Sequence, residues 1–131
     1  MSLEEKKALE QRTKAFALKV IAFASTLPRT AVANILGSQF VDAGTSVGAN
    51  YREANRAESR SDFIHKIGIV EKEAAESHYW LELFDGSDLG DPVLRHELFQ
   101  EACELLAIFS RIGKTAKLRR PSKQTVPRPS I

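Results

Sequence analysis

The chain has 131 residues, which is a single-domain length, and its 43% hydrophobic and 27% charged content excludes a disordered chain. A single cysteine, Cys103, excludes a disulfide framework, and no apolar run approaches the ~20 residues of a membrane span. The charged N-terminus lacks a signal-peptide core. We therefore expect a cytoplasmic protein without a membrane segment. Because Cys103 lies on an apolar-periodic segment, we expect its thiol to be buried.

The net charge of +2 conceals an uneven distribution. Residues 111–131 carry seven basic residues and no acid, whereas residues 1–110 hold the other 12 basic and all 17 acidic residues, a net charge of −5. A basic C-terminal segment of this kind favours binding to nucleic acid or to an acidic protein surface. The alternative is a solvated tail that only aids solubility.

The first predicted helix runs from Leu3 to about Thr26 and ends before Pro28, because proline cannot continue the hydrogen-bond ladder. Its apolar residues are spaced by seven, four, three and four positions, which places them on one face of a helix. They are Leu9, Phe16, Val20, Phe23 and Leu27.

The second predicted helix runs from its N-cap, Thr30, to about Asn55. Its apolar stripe consists of Val32, Leu36, Phe40, Ala43, Val47 and Tyr51. Gly37, Gly44 and Gly48 lie beside that stripe, although each glycine within a helix costs about 1 kcal/mol relative to alanine. Close approach of another helix explains them better than a kink does.

Two polar residues lie next to the small-residue face of the second helix. Ser46 and Asn50 are one helical turn apart, and buried polar groups must find partners. We expect an interhelical hydrogen-bonding pair that fixes the register of the helices and engages Glu53 or Glu76. A ligand-binding role is the alternative.

Three arginines, Arg52, Arg56 and Arg60, are spaced four residues apart and would share a face for as long as the helix lasts. Ser59 with Asp62 predicts a capping box for the third helix, which puts the helix break near residues 57–60. Arg60 can therefore lie beyond the shared face.

The third and fourth helices complete the bundle. The third is predicted over residues 61–85, with Gly86 as its stop, and the fourth starts with Asp91 as N-cap and Pro92 as its first residue and fades near Lys117. The apolar stripes are Phe63, Ile67, Val70, Ala74, Ser77, Leu81 and Phe84 in the third helix and Leu94, Leu98, Ala102, Leu105, Phe109 and Ile112 in the fourth. We predict an all-α, antiparallel up-down-up-down four-helix bundle over 1–117, followed by a disordered, basic, proline-containing tail over 118–131.

The residues predict no catalytic chemistry. A di-metal bundle needs two Glu-x-x-His motifs, and the nearest match, Asp62 with His65, occurs once. Glu71 and Glu73 flank the heptad stripe and predict a solvated face, whereas we expect Glu76 to be more enclosed. We therefore expect no enzyme, no cofactor and no metal ion.

The chain resembles the bacterial four helix bundle protein family, whose first members were encoded in intervening sequences of large-subunit ribosomal RNA genes. The residues that carry the resemblance are Gln39, Thr45–Ala54 (TSVGANYREA), Ser61–Ala74 (SDFIHKIGIVEKEA), Glu76 and Tyr79–Leu81. A more distant similarity is to the accessory variability protein of diversity-generating retroelements. Asp42 departs from the pattern, since a basic residue is frequent at that position.

The resemblance implies an antiparallel four-helix bundle that can assemble as a homopentamer, is not an enzyme, and binds nucleic acid. The leading hypothesis is a non-enzymatic oligomer that binds RNA or a nucleoprotein partner. The proposed contacts are Arg52, Arg56, Arg60, Arg119, Arg120 and Lys123. The alternative is a protein-interaction or assembly module without nucleic acid, supported by the acidic body, Tyr79 and Trp80.

Overall fold

A computed structural model describes residues 1–119, which form four helices. They are α1 (Leu3–Ala24), α2 (Ala31–Ala54), α3 (Arg60–Gly86) and α4 (Pro92–Arg119). The predicted all-α fold is confirmed, and most helix limits agree with the prediction within two residues. The fourth helix continues past Lys117 to Arg119. The rest of the predicted tail, 120–131, lies outside the described residues.

Local side-chain caps set where the helices begin. Thr30 Oγ1 accepts a hydrogen bond of 3.1 Å from the backbone N–H of Ala33, which confirms it as the N-cap of α2. At α3 only half of the predicted capping box forms: Ser59 Oγ accepts from Asp62 N at 3.0 Å. The Asp62 carboxylate accepts instead from the backbone N–H of Glu58 at 3.3 Å.

Contacts between helices establish the antiparallel arrangement. Consecutive helices pack against each other, and α1 also contacts α4. Arg12 pairs with Glu101 and Lys19 pairs with Glu97, so residue numbers rise along α1 as they fall along α4. The first and last helices thereby close the bundle.

The predicted apolar stripes form the core. On α3 every stripe residue from Ile67 to Phe84 is buried, and only the first differs, since Phe63 is half-buried and Ile64 is buried. On α2 the prediction for the first stripe residue is wrong, because Val32 is 62% exposed and Ala33 takes the inward position.

The prediction for Cys103 is also wrong, because this residue is exposed and not buried.

The glycines of α2 lie against α1, as predicted from close packing. A Cβ atom at Gly44 would lie 2.7 Å from Cγ2 of Val20, and one at Gly48 would lie 3.0 Å from Oγ1 of Thr13. Thr13 is fully buried and occupies the inward position between Leu9 and Phe16, where the predicted stripe has no residue. The glycines therefore let two backbones approach, and α2 runs unbroken through them.

The turn between α3 and α4 contains a buried arginine that the sequence did not indicate. Arg95 is 7% exposed and donates from Nη1 to the carbonyl oxygens of Leu89 at 2.8 Å and Gly90 at 3.3 Å. Asp88 and Asp85 lie within ion-pair distance of its guanidinium group.

Within residues 1–119, no helix has the length and apolarity needed to cross a membrane.

Candidate nucleic-acid interface

The three arginines of the predicted row do not share a helical face. The second helix ends at Ala54 with Asn55 as its C-cap, earlier than the predicted break. Arg52 therefore lies in α2, Arg56 lies in the turn, and Arg60 is the first residue of α3. Residues spaced four apart share a face only within one continuous helix, and here the chain turns between Arg52 and Arg60.

The turn instead brings Arg60 to the C-terminal part of α4, at the end of the bundle where α1 begins. There the start of α1, the α2–α3 turn and α4 line a partly open cavity of about 450 Å³, which we term the basic cleft. Its charged lining residues are Lys6, Arg60, Arg111 and Arg119. The remaining lining residues are Met1, Tyr51, Asn55, Phe63, Ile112, Thr115 and Ala116.

Among residues 1–119, four cations and no acid line the basic cleft. Lys6, Arg60 and Arg111 form no ion pair with any residue between 1 and 119. Positive charges that converge on one concavity without neutralising partners produce a local positive potential. The arrangement is therefore suited to an anionic group with several acceptor oxygens.

The floor of the cleft is apolar and ordered by packing. The ring of Tyr51 is buried, and its centroid lies 5.2 Å from that of Phe109. Burial raises the pKa of the Tyr51 phenol, against a smaller opposing effect of its hydrogen bond with Asn55. The phenol is thus neutral near pH 7 and adds no negative charge to the cleft, and its hydroxyl group donates to Sδ of Met1 at 3.7 Å.

Asn55 connects this floor to α1. Its Nδ2 donates to Oε2 of Glu10 at 3.0 Å. Glu10 itself is not among the residues that line the cleft. The buried Oδ1 atom of Asn55 has no hydrogen-bond partner among residues 1–119. The C-cap of α2 is therefore fixed by a long-range contact as well as by its own backbone bonds.

The structure unites two of the predicted contact residues and adds two that were missed. Arg60 and Arg119 line the cleft together, joined by Lys6 and Arg111. Arg111 and Arg119 are eight residues apart on α4, and this spacing was the available signal for a shared face. Lys6 offered no such signal, because its position depends on the packing of α1.

The other predicted contact residues lie elsewhere. Arg52 lines a smaller cavity of about 250 Å³ between α1 and α2, together with Lys14. Arg56 is exposed in the turn. Arg120 and Lys123 lie outside the described residues.

The predicted interhelical hydrogen bonds of Ser46 and Asn50 are not formed. Ser46 Oγ donates to the carbonyl oxygen of Asp42 at 2.6 Å, and Asn50 Nδ2 donates to that of Ser46 at 2.8 Å. Both bonds lie within α2, because a carbonyl one turn earlier is the nearest acceptor for a half-buried polar side chain. Glu53 is exposed and makes no hydrogen bond to either of them.

The predicted enclosure of Glu76 is also wrong. Glu76 is exposed and lies 3.9 Å from the ammonium group of Lys72 on the same helix. Its neighbour Glu73 is half-buried. Burial is the main cause that raises the pKa of Glu73, and the negative charges of Glu76 and Asp42 raise it further.

Residues 1–119 contain no group of three or more His, Cys, Asp or Glu side chains that could hold a metal ion.

Together the fold and the cleft define a small all-α protein, a four-helix bundle with a cationic cavity at one end. The chain belongs to the 23S rRNA-intervening sequence protein family, whose sequence model matches residues 5–111. This confirms the resemblance seen in the sequence.

A solved structure supports the same assignment. It is a protein of unknown function from the S23 ribosomal protein family of Bacteroides thetaiotaomicron, determined at 1.70 Å resolution. It is 31% identical to this chain, covers 80% of it and 97% of its own length, and superposes with a TM-score of 0.74. Comparison with the curated proteins gives no match. Neither the family's description nor that of the solved structure names an enzyme.

Proposed function

We propose that the protein is a non-enzymatic, cytoplasmic, oligomeric bundle that binds RNA, alone or within a nucleoprotein partner, through its basic residues. The observation that carries this proposal is the basic cleft, where Lys6, Arg60, Arg111 and Arg119 line one cavity. No acidic residue in the described part of the chain, 1–119, lines it. A phosphate backbone supplies the complementary charge, and arginine forks match phosphate oxygens geometrically.

The proposed contacts begin at the cleft and continue beyond it. Arg56 lies in the turn that precedes Arg60, and Arg52 lies one turn earlier on α2. Arg120 and Lys123 follow Arg119 in the sequence and add two more positive charges. These residues would contact phosphates rather than base edges, so affinity rather than sequence selectivity is expected from them.

Salt dependence tests the proposal directly. For a single strand held by four phosphate contacts, the affinity should fall roughly 50-fold between about 50 and 200 mM salt. Fluorescence anisotropy of a labelled single-stranded RNA measures this fall. Binding that is absent, or that does not respond to salt, would contradict the proposal.

Matched variants locate the contact. The double substitution Arg60→Gln and Arg111→Gln should weaken binding and flatten the salt dependence. Arg29→Gln is the control, because Arg29 is also exposed but lies in the α1–α2 turn at the opposite end of the bundle. The control removes one charge and the double variant removes two. A loss of binding free energy in the control that reaches half the loss in the double variant would therefore indicate a diffuse charge effect and not a site.

A protein-interaction module without nucleic acid is the second candidate, and exposed apolar side chains favour it. Val32 and Ile35 on the first turn of α2 are 62% and 64% exposed, and Tyr79 on α3 is 53% exposed. Such a surface can serve self-assembly, including the homopentamer that the resemblance implies, or another protein. Light scattering of the purified chain measures the oligomer, and a partner that stays bound after nuclease treatment would favour this candidate over RNA binding.

A further inference from the structure

We infer that the basic cleft selects a phosphomonoester terminus of single-stranded RNA over an internal phosphodiester. This inference rests on the proposed function and specifies its ligand. It combines three properties of the cleft: its size at the end of the bundle, its concentration of positive charge, and its apolar wall.

The size of the cleft suits one nucleotide. Its volume of about 450 Å³ lies in the range of ~300–1,000 Å³ typical of pockets that hold one small ligand. It lies between the beginning of α1, the α2–α3 turn and residues 111–119 of α4, and it is partly open to solvent. A terminal nucleotide fits this space whole, whereas an internal nucleotide must also place a neighbour on each side outside it.

The charge of the cleft favours a monoester. A terminal phosphate carries about −1.5 to −2 charges at pH 7 and three acceptor oxygens, whereas an internal phosphodiester carries a single charge. No acid within residues 1–119 lines the cleft, and three of its cations are unpaired within that range, so the second negative charge adds to the attraction. Glu10, which accepts a hydrogen bond from the lining residue Asn55, opposes this attraction only in part. The Coulomb attraction therefore increases with the charge of the ligand.

The wall of the cleft suits the rest of a terminal nucleotide. Phe63 and Ile112 are half-buried and present apolar surface beside the cations, and Thr115 is an exposed lining residue. A base can stack on an aromatic ring without regard to its sequence. The phosphate would meet Lys6, Arg60 and Arg111, while the base or ribose would contact Phe63.

The experiment compares one RNA sequence in four forms, each with the same internal fluorophore: both ends hydroxyl, a 5′-monophosphate, a 3′-monophosphate, and a covalently closed circle. We expect at least one monophosphate form to bind about tenfold more tightly than the hydroxyl form, the effect of one added charge-assisted hydrogen bond. The two monophosphate arms distinguish which end is bound, and the circle should bind no better than the hydroxyl form.

Two further measurements connect the preference to the cleft. Arg60→Gln and Arg111→Gln should each remove the preference, and Arg29→Gln should retain it; thermal unfolding of each variant establishes that it is folded. The preference should also decline as the pH falls through about 6, where the terminal phosphate gains a proton and loses its second charge.

The outcomes separate the inference from the proposed function. If all four forms bind equally with a steep salt dependence, RNA binding stands and the selectivity for an end is wrong. The same conclusion follows if the cleft variants keep the preference. If no form binds, both proposals are wrong.

Discussion

Arg12 on α1 donates two hydrogen bonds to Glu101 on α4, from Nε to Oε2 and from Nη2 to Oε1, each 2.7 Å long. The same Nη2 donates to Glu104 at 2.8 Å. The bonds to Glu101, with a smaller contribution from Glu104, raise the pKa of the Arg12 guanidinium group. This bidentate pair joins the first helix to the last.

We predict a measurable coupling between Arg12 and Glu101. Both side chains are partly exposed, at 37% and 26%, so solvent screening limits the pair to about 1 kcal/mol. A double-mutant cycle with Arg12→Met and Glu101→Gln, followed by urea unfolding, measures the coupling. Lys19 and Glu97 provide the matched control at 3.4 Å and greater exposure, and their coupling should be smaller. Equal values would contradict the importance of the bidentate geometry.

Gly44→Ala should destabilise the protein. The new Cβ would lie 2.7 Å and 2.9 Å from the two methyl carbons of Val20, a buried β-branched residue that cannot rotate away. Overpacking costs about 1–3 kcal/mol and should exceed the gain of about 1 kcal/mol in helix propensity.

Gly68→Ala is the control for this prediction. Gly68 lies in α3 and has nothing within 4 Å of an added Cβ, so the substitution should stabilise the protein by about 1 kcal/mol. Urea unfolding of the two variants should therefore give changes of opposite sign. A stabilising effect of both substitutions would show that α1 and α2 can separate without cost.

Arg95→Met should destabilise the protein by about 2–3 kcal/mol. The change leaves the carbonyl oxygens of Leu89 and Gly90 without the guanidinium donor that now satisfies them. His96→Ala, at the exposed neighbouring position, should change the free energy of unfolding by less than about 0.5 kcal/mol. Thermal unfolding measures both, and similar effects would contradict a specific role of Arg95 in the α3–α4 turn.

Glu73→Gln should stabilise the protein at neutral pH and lose that advantage in acid. Burial and the nearby charges of Glu76 and Asp42 raise the pKa of Glu73 in the folded state above its ordinary 4.5. Folding therefore favours the protonated form of Glu73. The stability that this form contributes is fully present below the unfolded-state pKa and is lost as the pH rises through the folded-state pKa.

The test of the Glu73 prediction is urea unfolding of both proteins from pH 4 to pH 7. The difference in unfolding free energy should be near zero at the acidic end and should appear as the pH rises past 4.5. Since Glu73 is only half-buried, we expect a few tenths of a kcal/mol. A difference that does not change with pH would contradict the assignment.

The cleft illustrates how far the sequence could locate the site. The basic C-terminal segment and Arg60 were visible as charge, and the spacing of Arg111 and Arg119 was available on α4. What the pattern could not supply is that Arg60 and Arg111 line one cavity, since they lie 51 residues apart in the chain. The same limit explains why Ser46 and Asn50 were assigned to an interhelical pair, whereas their acceptors lie within α2.

By itself the sequence determined the four helices, the capped beginnings of the last three, and most of the core, from Ile67 to Phe84 above all. These features follow from hydrogen bonds and side-chain periodicity among residues close together in the chain. Only the tertiary structure decided that Val32 faces outward, that Arg95 is buried, and that cations from three parts of the chain line one cleft. The reason is that exposure and convergence depend on how the helices rotate and approach each other, which neighbouring residues do not specify.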